Sequence, residues 1–326
     1  MRRFSLLVLS LTAITLTMSL ISLKTGVAAT SWQDVADIFT ADSGTAFLLR
    51  EVRLMRILLA LLAGSALGIS GAILQRVLHN DLASPEIIGI SSGAGCAGIA
   101  WLLYCGAYPE LLGAAAFAGA MVAALTVYFA AWKQGISPAR LILAGVALST
   151  LAGTLVSALL LLNSDKLTGI FEFTLGGVAG KGRNELFAGL PFFAAAFIMA
   201  GALTRRLEIL SLDDASAASL GINVERTRLV ALAAAALAAG SAAAAAGLLG
   251  FVGLMAPHIA QKMLNSASTG KVLFLSALTG ALLSVTGEWL GRVAAAPREL
   301  PAGMFLSAAG ALFFLVLLLK SRRMWR

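Results

Sequence analysis

Residues 70–95, SGAILQRVLHNDLASPEIIGISSGAG, decide how this chain is read. An apolar run ends at Arg76, a polar cluster follows through His79, Asn80 and Asp81, and after Pro85 the chain restarts in a stretch dense in glycine. Apolar runs of similar length, parted by short polar joints, continue on both sides. Over 326 residues, 59% are hydrophobic, 12% are charged and the mean hydropathy is +0.91, a balance that excludes an ordinary soluble globular domain. A span needs roughly 20 apolar residues to cross about 30 Å of hydrocarbon, and backbone groups there must be bonded within the segment, so these runs are helices. The alternation of a β-barrel is absent. The expected fold class is an all-α, polytopic membrane protein, one domain over residues 1–326.

Ten spans are expected: residues 4–23, 54–78, 87–105, 111–132, 141–162, 186–203, 229–249, 251–264, 272–293 and 303–319. Residues 1–29 mimic a secretory signal, with Arg2 and Arg3 before an apolar run and VAAT after it, but the run is long for such a signal and reads as a retained helix. Span 251–264 is short enough to be broken or tilted, and 163–183 reads as a loop with a short interfacial helix. Both ends are basic, Arg2 and Arg3 at one, Lys320, Arg322, Arg323 and Arg326 at the other, so an even number of spans places both termini in the cytoplasm. The same parity leaves Arg50, Arg53, Arg56, Lys166, Lys181, Arg183, Arg292 and Arg298 outside, against the positive-inside rule. Such cations either snorkel at helix ends or meet an acidic partner; Arg53 and Arg56, three apart, share a helical face.

Small residues recur where helices must approach without a hydrophobic drive. Gly64, Gly68, Ser70 and Gly71, then Gln75, Asn80 and Pro85, then Gly89, Ser92 and Gly93 form a set for helix packing or for the transport pathway. Gly89, Gly93 and Gly95 after Pro85 are also candidates for a broken helix, since irregular backbone survives at depth only beside protein or water. A faint internal echo links LLAGSALGISG at 61–71 with LAAGSAAAAAG at 237–247, and alanine richness leaves chance similarity as its rival. If the echo is real, the copies run in opposite directions, an inverted repeat.

Four blocks carry a family resemblance: residues 70–95; LDDASAASLG at 212–221; GLLGFVGLMAPHIAQKML at 247–264; and residues 280–310, which contain GEWLGRVAAAPRELPAG. Together they resemble, almost end to end, the permeases of binding-protein-dependent importers for iron-siderophores, haem and vitamin B12. The resemblance implies the type II importer permease fold, about ten helices with an inverted repeat, in the inner (cytoplasmic) membrane. It implies a homodimer, two copies of an ATP-binding cassette ATPase that hold ATP and Mg, and a periplasmic or surface-tethered binding protein. Arg53, Arg56 and Arg292 match arginines that dock the binding protein. The cytoplasmic loop 204–228 matches the segment that fits a groove on the ATPase, with Leu210, Leu212, Asp213, Asp214, Ala217, Leu220 and Gly221 as its residues. Asp213 stands where the family's LGxxxAxxLG pattern has glycine, which puts the turn there in question. Gln261 stands for a usual arginine, Glu288 for aspartate and Leu312 for proline. The cargo implied is a ferric siderophore first, then haem, then cobalamin.

Absences narrow the chemistry. No GxxxxGK followed by serine or threonine occurs, so the chain has no phosphate-cradling loop, binds no cofactor of its own and is expected not to be an enzyme. His79 and His258 lack metal-ligand spacing and read as structural, and Cys96 and Cys105 as small core residues. No nucleic-acid partner is expected; the membrane lipid is. The rival function is an ion-driven secondary transporter, which needs an embedded carboxylate, with Glu172 and Glu288 as candidates. Arg292 lies four residues after Glu288, a spacing that pairs them within one helix.

Overall fold

The polar joints of the sequence become turns between fourteen α-helices among the described residues. The structure, a computed structural model, describes residues 2–321 apart from 29, 42, 106–107, 133–136, 164–167 and 265–267. The orientation reading of Lys166, Arg322, Arg323 and Arg326 lies outside these residues.

Helix α1 (Arg2–Lys24) is followed by a short α2 (Trp32–Ala36), opened by a capping box between Ser31 and Asp34. Bonds from the Ser31 backbone N–H and hydroxyl hold the Asp34 carboxyl below the usual range. The next element, α3 (Gly44–Phe47), passes through a π-helical stretch (Leu48–Arg53) into α4 (Leu54–Leu78). Then come α5 (Ile90–Tyr104), α6 (Leu112–Ala131), α7 (Pro138–Leu162), α8 (Thr168–Leu175) and α9 (Arg183–Leu210). The chain ends in α10 (Asp214–Ser219), α11 (Val224–Ala246), α12 (Val252–Leu264), α13 (Thr269–Val293) and α14 (Ala302–Ser321). Helix starts carry their signals: the Ser137 hydroxyl accepts from Arg140 N–H with Pro138 next, and Asn223 accepts from Arg226 N–H at 2.9 Å.

Among the described residues seven helices are long and apolar enough to cross a membrane, α1, α4, α7 and α13 included; α5 and α14 are shorter apolar helices, and α12 has 13 residues. Helix α4 keeps the expected bounds of 54–78, whereas α9 runs beyond its expected 186–203 at both ends. In segment 204–228, residues 204–210 are the end of α9 and 224–228 the start of α11, with α10 between them.

Helix α4 is the axis of the protomer, packed by α13, α11, α12, α9 and α7. Its glycines explain how. A Cβ at Gly64 would collide with the Gly280 backbone, and one at Gly68 with the Ser276 carbonyl, both on α13; Gly71 abuts Gly253 of α12. Helix association in lipid depends on such close approach. Ser70 Oγ donates to Ala235 O of α11 at 2.8 Å, tying together the two helices that carry the internal echo. So Gly64, Gly68, Ser70 and Gly71 pack against the chain's own helices. Helix α7, in contrast, leaves Leu143, Leu151, Leu155 and Leu161 exposed.

Gly89 alone of the glycines at 89–95 breaks a helix. It takes φ +82 at the head of α5, a left-handed conformation that favours glycine, while Gly93 packs on Gly119 and Ala123 of α6 and Gly95 on Leu248. The irregular segment 79–89 is held by other elements: Ser149 Oγ of α7 donates to Glu86 O at 3.2 Å, and Glu86 Oε1 accepts the Phe251 N–H at 2.8 Å. Pro85 lies against Gly253, and Asn80 Oδ1 accepts from Leu82 N–H to shape the turn. Ser92 is half-buried on α5. Cys96 and Cys105 are free thiols.

Candidate functional site

Two clusters stand at opposite ends of the long helices. The 28 residues of α9 rise about 1.5 Å each, so Arg183 at its head and Leu210 at its foot are about 40 Å apart.

At the Arg183 end, the expected three-arginine docking group divides. An α-helix leaves its last carbonyls without donors and carries partial negative charge there. At the end of α1 those carbonyls are taken by two arginines from other helices. Arg53 Nη1 donates to Leu23 O at 2.9 Å and Lys24 O at 3.0 Å, and also reaches Thr30 Oγ1; its Nη2 donates to Ala28 O at 2.6 Å. Arg292 Nη2 donates to Ser22 O at 2.7 Å and to Ser22 Oγ, and pairs with Glu288 Oε2 at 3.1 Å. Ser22 Oγ donates to the same carboxylate oxygen. Arg53 and Arg292 are only 4% and 3% exposed. The docking expectation for these two is therefore corrected: both guanidiniums face inward and clamp α1 to α4 and α13. The i, i+3 spacing of Arg53 and Arg56 showed a shared face without saying that the face turns inward.

Arg56 is different. Its Nη1 contacts both oxygens of Glu299, at 2.8 and 3.1 Å, at the edge of a small recess shared with Glu288 and Arg292. Around it lie half-buried Lys181, exposed Arg298, Arg183, and the Glu51 carboxylate that Arg50 and Arg183 share at 3.2 and 3.6 Å. Sequence reasoning counted Arg183 and Arg298 among the outer cations without singling them out, and missed Glu51 and Glu299 as their local counter-charges. Glu172 is exposed on α8, and Glu288 is held by Arg292 and Ser22.

At the other end, Asp213 is well suited to its place. It is extended at φ −69, ψ 158, and its carboxylate accepts the Ser216 N–H, so it caps α10 where the family pattern has glycine. Gly221 keeps φ +84. Asp214 forms a two-point ion pair with Arg228 of α11, at 2.8 and 3.0 Å. Leu210 and Ala217 are fully buried and belong to the core, a correction to their place on the coupling surface, while Leu212 and Leu220 protrude at 47% and 59% exposure.

This end is wired to α4. His79, left-handed at φ 48, follows the last residue of α4, and its Nε2 lies 2.9 Å from Leu210 O. Because a carbonyl only accepts, Nε2 carries the proton. Nearby, Gln261 Nε2 donates to Gln75 Oε1 at 3.1 Å, a neutral bond between α12 and α4 at the position where the resemblance has arginine. If the His79 bond transmits motion from the foot of α9, next to α10, to α4, His79→Phe lowers uptake per ATP hydrolysed several-fold while His79→Gln, which keeps a donor, largely preserves it. Equal coupling ratios in the two variants would exclude that role.

Comparison with known proteins decides what this arrangement belongs to. Residues 14–320 match the FecCD transport family. The chain belongs to that family. FecCD proteins similar to it include the achromobactin transport system permease protein CbrC of Dickeya dadantii, 36% identical over 89% of this chain and 84% of that one. The Fe(3+) dicitrate transport system permease protein FecD of Escherichia coli is 32% identical over 93% and 95%. The hemin transport system permease protein HmuU of Yersinia pestis is 33% identical over 83% of each. An inward-facing metal-chelate type ABC transporter superposes with a TM-score of 0.86 at 26% identity, over 97% of this chain and 99% of that one. As a FecCD permease the chain is a multi-pass membrane protein and the non-catalytic subunit of an ABC transporter. Among the described residues no group of three or more histidine, cysteine, aspartate or glutamate side chains could hold a metal ion.

Proposed function

We propose that this permease imports a ferric chelate across the inner membrane, with a ferric siderophore favoured over haem and cobalamin because most of the named relatives carry iron chelates. The observation that carries the reading is the α10 segment: two exposed leucines flank a capped six-residue helix, braced by Asp214–Arg228 and tied through His79 to the central helix. Such a rigid apolar knob suits a groove on an ATPase that binds ATP and Mg itself. Two permeases, joined through the little-buried α7 and its neighbours, and two ATPases form the machine, with both termini cytoplasmic. ATP binding and hydrolysis move α10, and α9 and α4 carry that motion toward the outer end.

A loaded binding protein docks by acidic side chains on the outer surface around Arg56, Arg183 and Arg298, with Arg53 and Arg292 holding the frame beneath. Arg56 and Arg183 already have Glu299 and Glu51 beside them, so docking exchanges those glutamates for the partner's carboxylates. Charge across a rim acts chiefly on encounter rate and falls with salt. The test is Arg56→Glu combined with Arg183→Glu in the assembled importer. Uptake at low salt falls about tenfold or more, as expected when electrostatic steering is reversed, while basal ATP hydrolysis persists. Unchanged uptake would remove the outer patch from docking.

A further inference from the structure

Beside the outer cluster, with which it shares Lys181 and Glu185, a cavity of about 330 Å³ opens between the outer ends of α6, α9 and α11. Small residues carve it: Ala114 on α6, Gly189 on α9 and Ala244 on α11. The Phe117 and Phe192 rings, 4.9 Å apart, line it deeper along α6 and α9. Its rim is polar, with Glu110, Lys181 and Glu185. Lys181 and Glu110 have no ion-pair partner among the described residues, whereas Glu185 Oε2 accepts the Gly182 N–H.

We propose that this cavity holds one zwitterionic phospholipid of the phosphatidylethanolamine class, its phosphate on Lys181, its ammonium between Glu110 and Glu185, and an acyl chain running in toward the Phe117–Phe192 pair. Three observations select that occupant. The rim offers one cation and two carboxylates, the complement of a headgroup that carries one charge of each sign, and an anionic headgroup would meet the two glutamates. The lining beneath is apolar and opens between helices that face outward, with Ala114 and Ala188 exposed. The depth suits a chain end: Phe117 is five residues below Leu112, about 8 Å at the helical rise, whereas a partner helix about 10 Å wide would need a groove along the whole span. The rim shares Lys181 and Glu185 with the recess beside Arg56 and Arg183, so the site is read by lipid labelling and not by transport.

The assembled importer is placed in nanodiscs of phosphatidylglycerol containing a trace of phosphatidylethanolamine with a photoactivatable acyl chain, and crosslinked peptides are identified by mass spectrometry. The expected labels fall on the α6 and α9 peptides carrying Phe117 and Phe192, and unlabelled phosphatidylethanolamine competes better than added phosphatidylglycerol. Ala114→Trp, which fills the mouth from an exposed position, abolishes the label. Lys181→Ala, a loop substitution that leaves the helices intact, lowers it about fivefold, the effect of one lysine on a phosphate at a membrane surface. Labelling spread over other helices, or unchanged by Ala114→Trp, would overturn the site. Equal competition by the two lipids, or full labelling of Lys181→Ala, would overturn the headgroup assignment.

Discussion

Replacing Leu212 and Leu220 together by aspartate is expected to reduce ATP-driven uptake to background while the permease itself still inserts and folds. Both side chains project from the protein, and neither belongs to the core that Leu210 and Ala217 fill beside them. Burying a leucine in a partner's groove is worth about 1.5–3 kcal/mol, so losing two weakens ATPase docking by about two to four powers of ten. The measurement is co-purification of the ATPase together with uptake, with thermal stability of the permease as control. Full co-purification with normal uptake would show that α10 is not the docking knob; a large fall in the permease's own stability would show that the leucines serve the fold.

The second large effect lies at the outer end. Arg292→Met is expected to destabilise the permease by about 3–5 kcal/mol, because it leaves the Glu288 carboxylate buried without its cation and removes a donor from the end of α1. Adding Glu288→Leu is expected to recover much of that loss, since replacing a buried pair by packed apolar groups is often neutral or better. Thermal unfolding of the two variants in detergent checks it. If Arg292→Met matches the parent in stability yet abolishes binding-protein docking, Arg292 acts at the surface and the inward clamp is wrong.

These two tests fall where sequence reasoning divided. The bounds of α4 were legible to the residue because charge flanks it on one side and a polar cluster follows on the other. The expected absence of a phosphate-cradling loop agrees with a non-catalytic FecCD subunit. What could not be read was which way a side chain faces once several helices surround it. Arg53 and Arg56 share a helix face by spacing, yet one caps α1 and the other meets Glu299 near the surface. The stretch after α1, TGVAAT, supplies donors to Ile21 O from Thr25 and to Lys24 O from Thr30, and Ser22 O and Leu23 O are met by the arginines. Leu210 and Leu212 are likewise two residues apart in one apolar pattern, and only the turn at Ser211 sends the second outward. Among the glycines after Pro85, spacing alone did not distinguish the backbone break at Gly89 from packing at Gly93 and Gly95.

The central claim is that this chain moves cargo only when an ATPase drives it. Proteoliposomes holding the permease with its co-purified ATPase, supplied with loaded binding protein outside and ATP inside, should accumulate a radiolabelled ferric siderophore, and omitting ATP should abolish accumulation. Accumulation by the permease alone, driven by a proton or sodium gradient without ATP, would contradict the account.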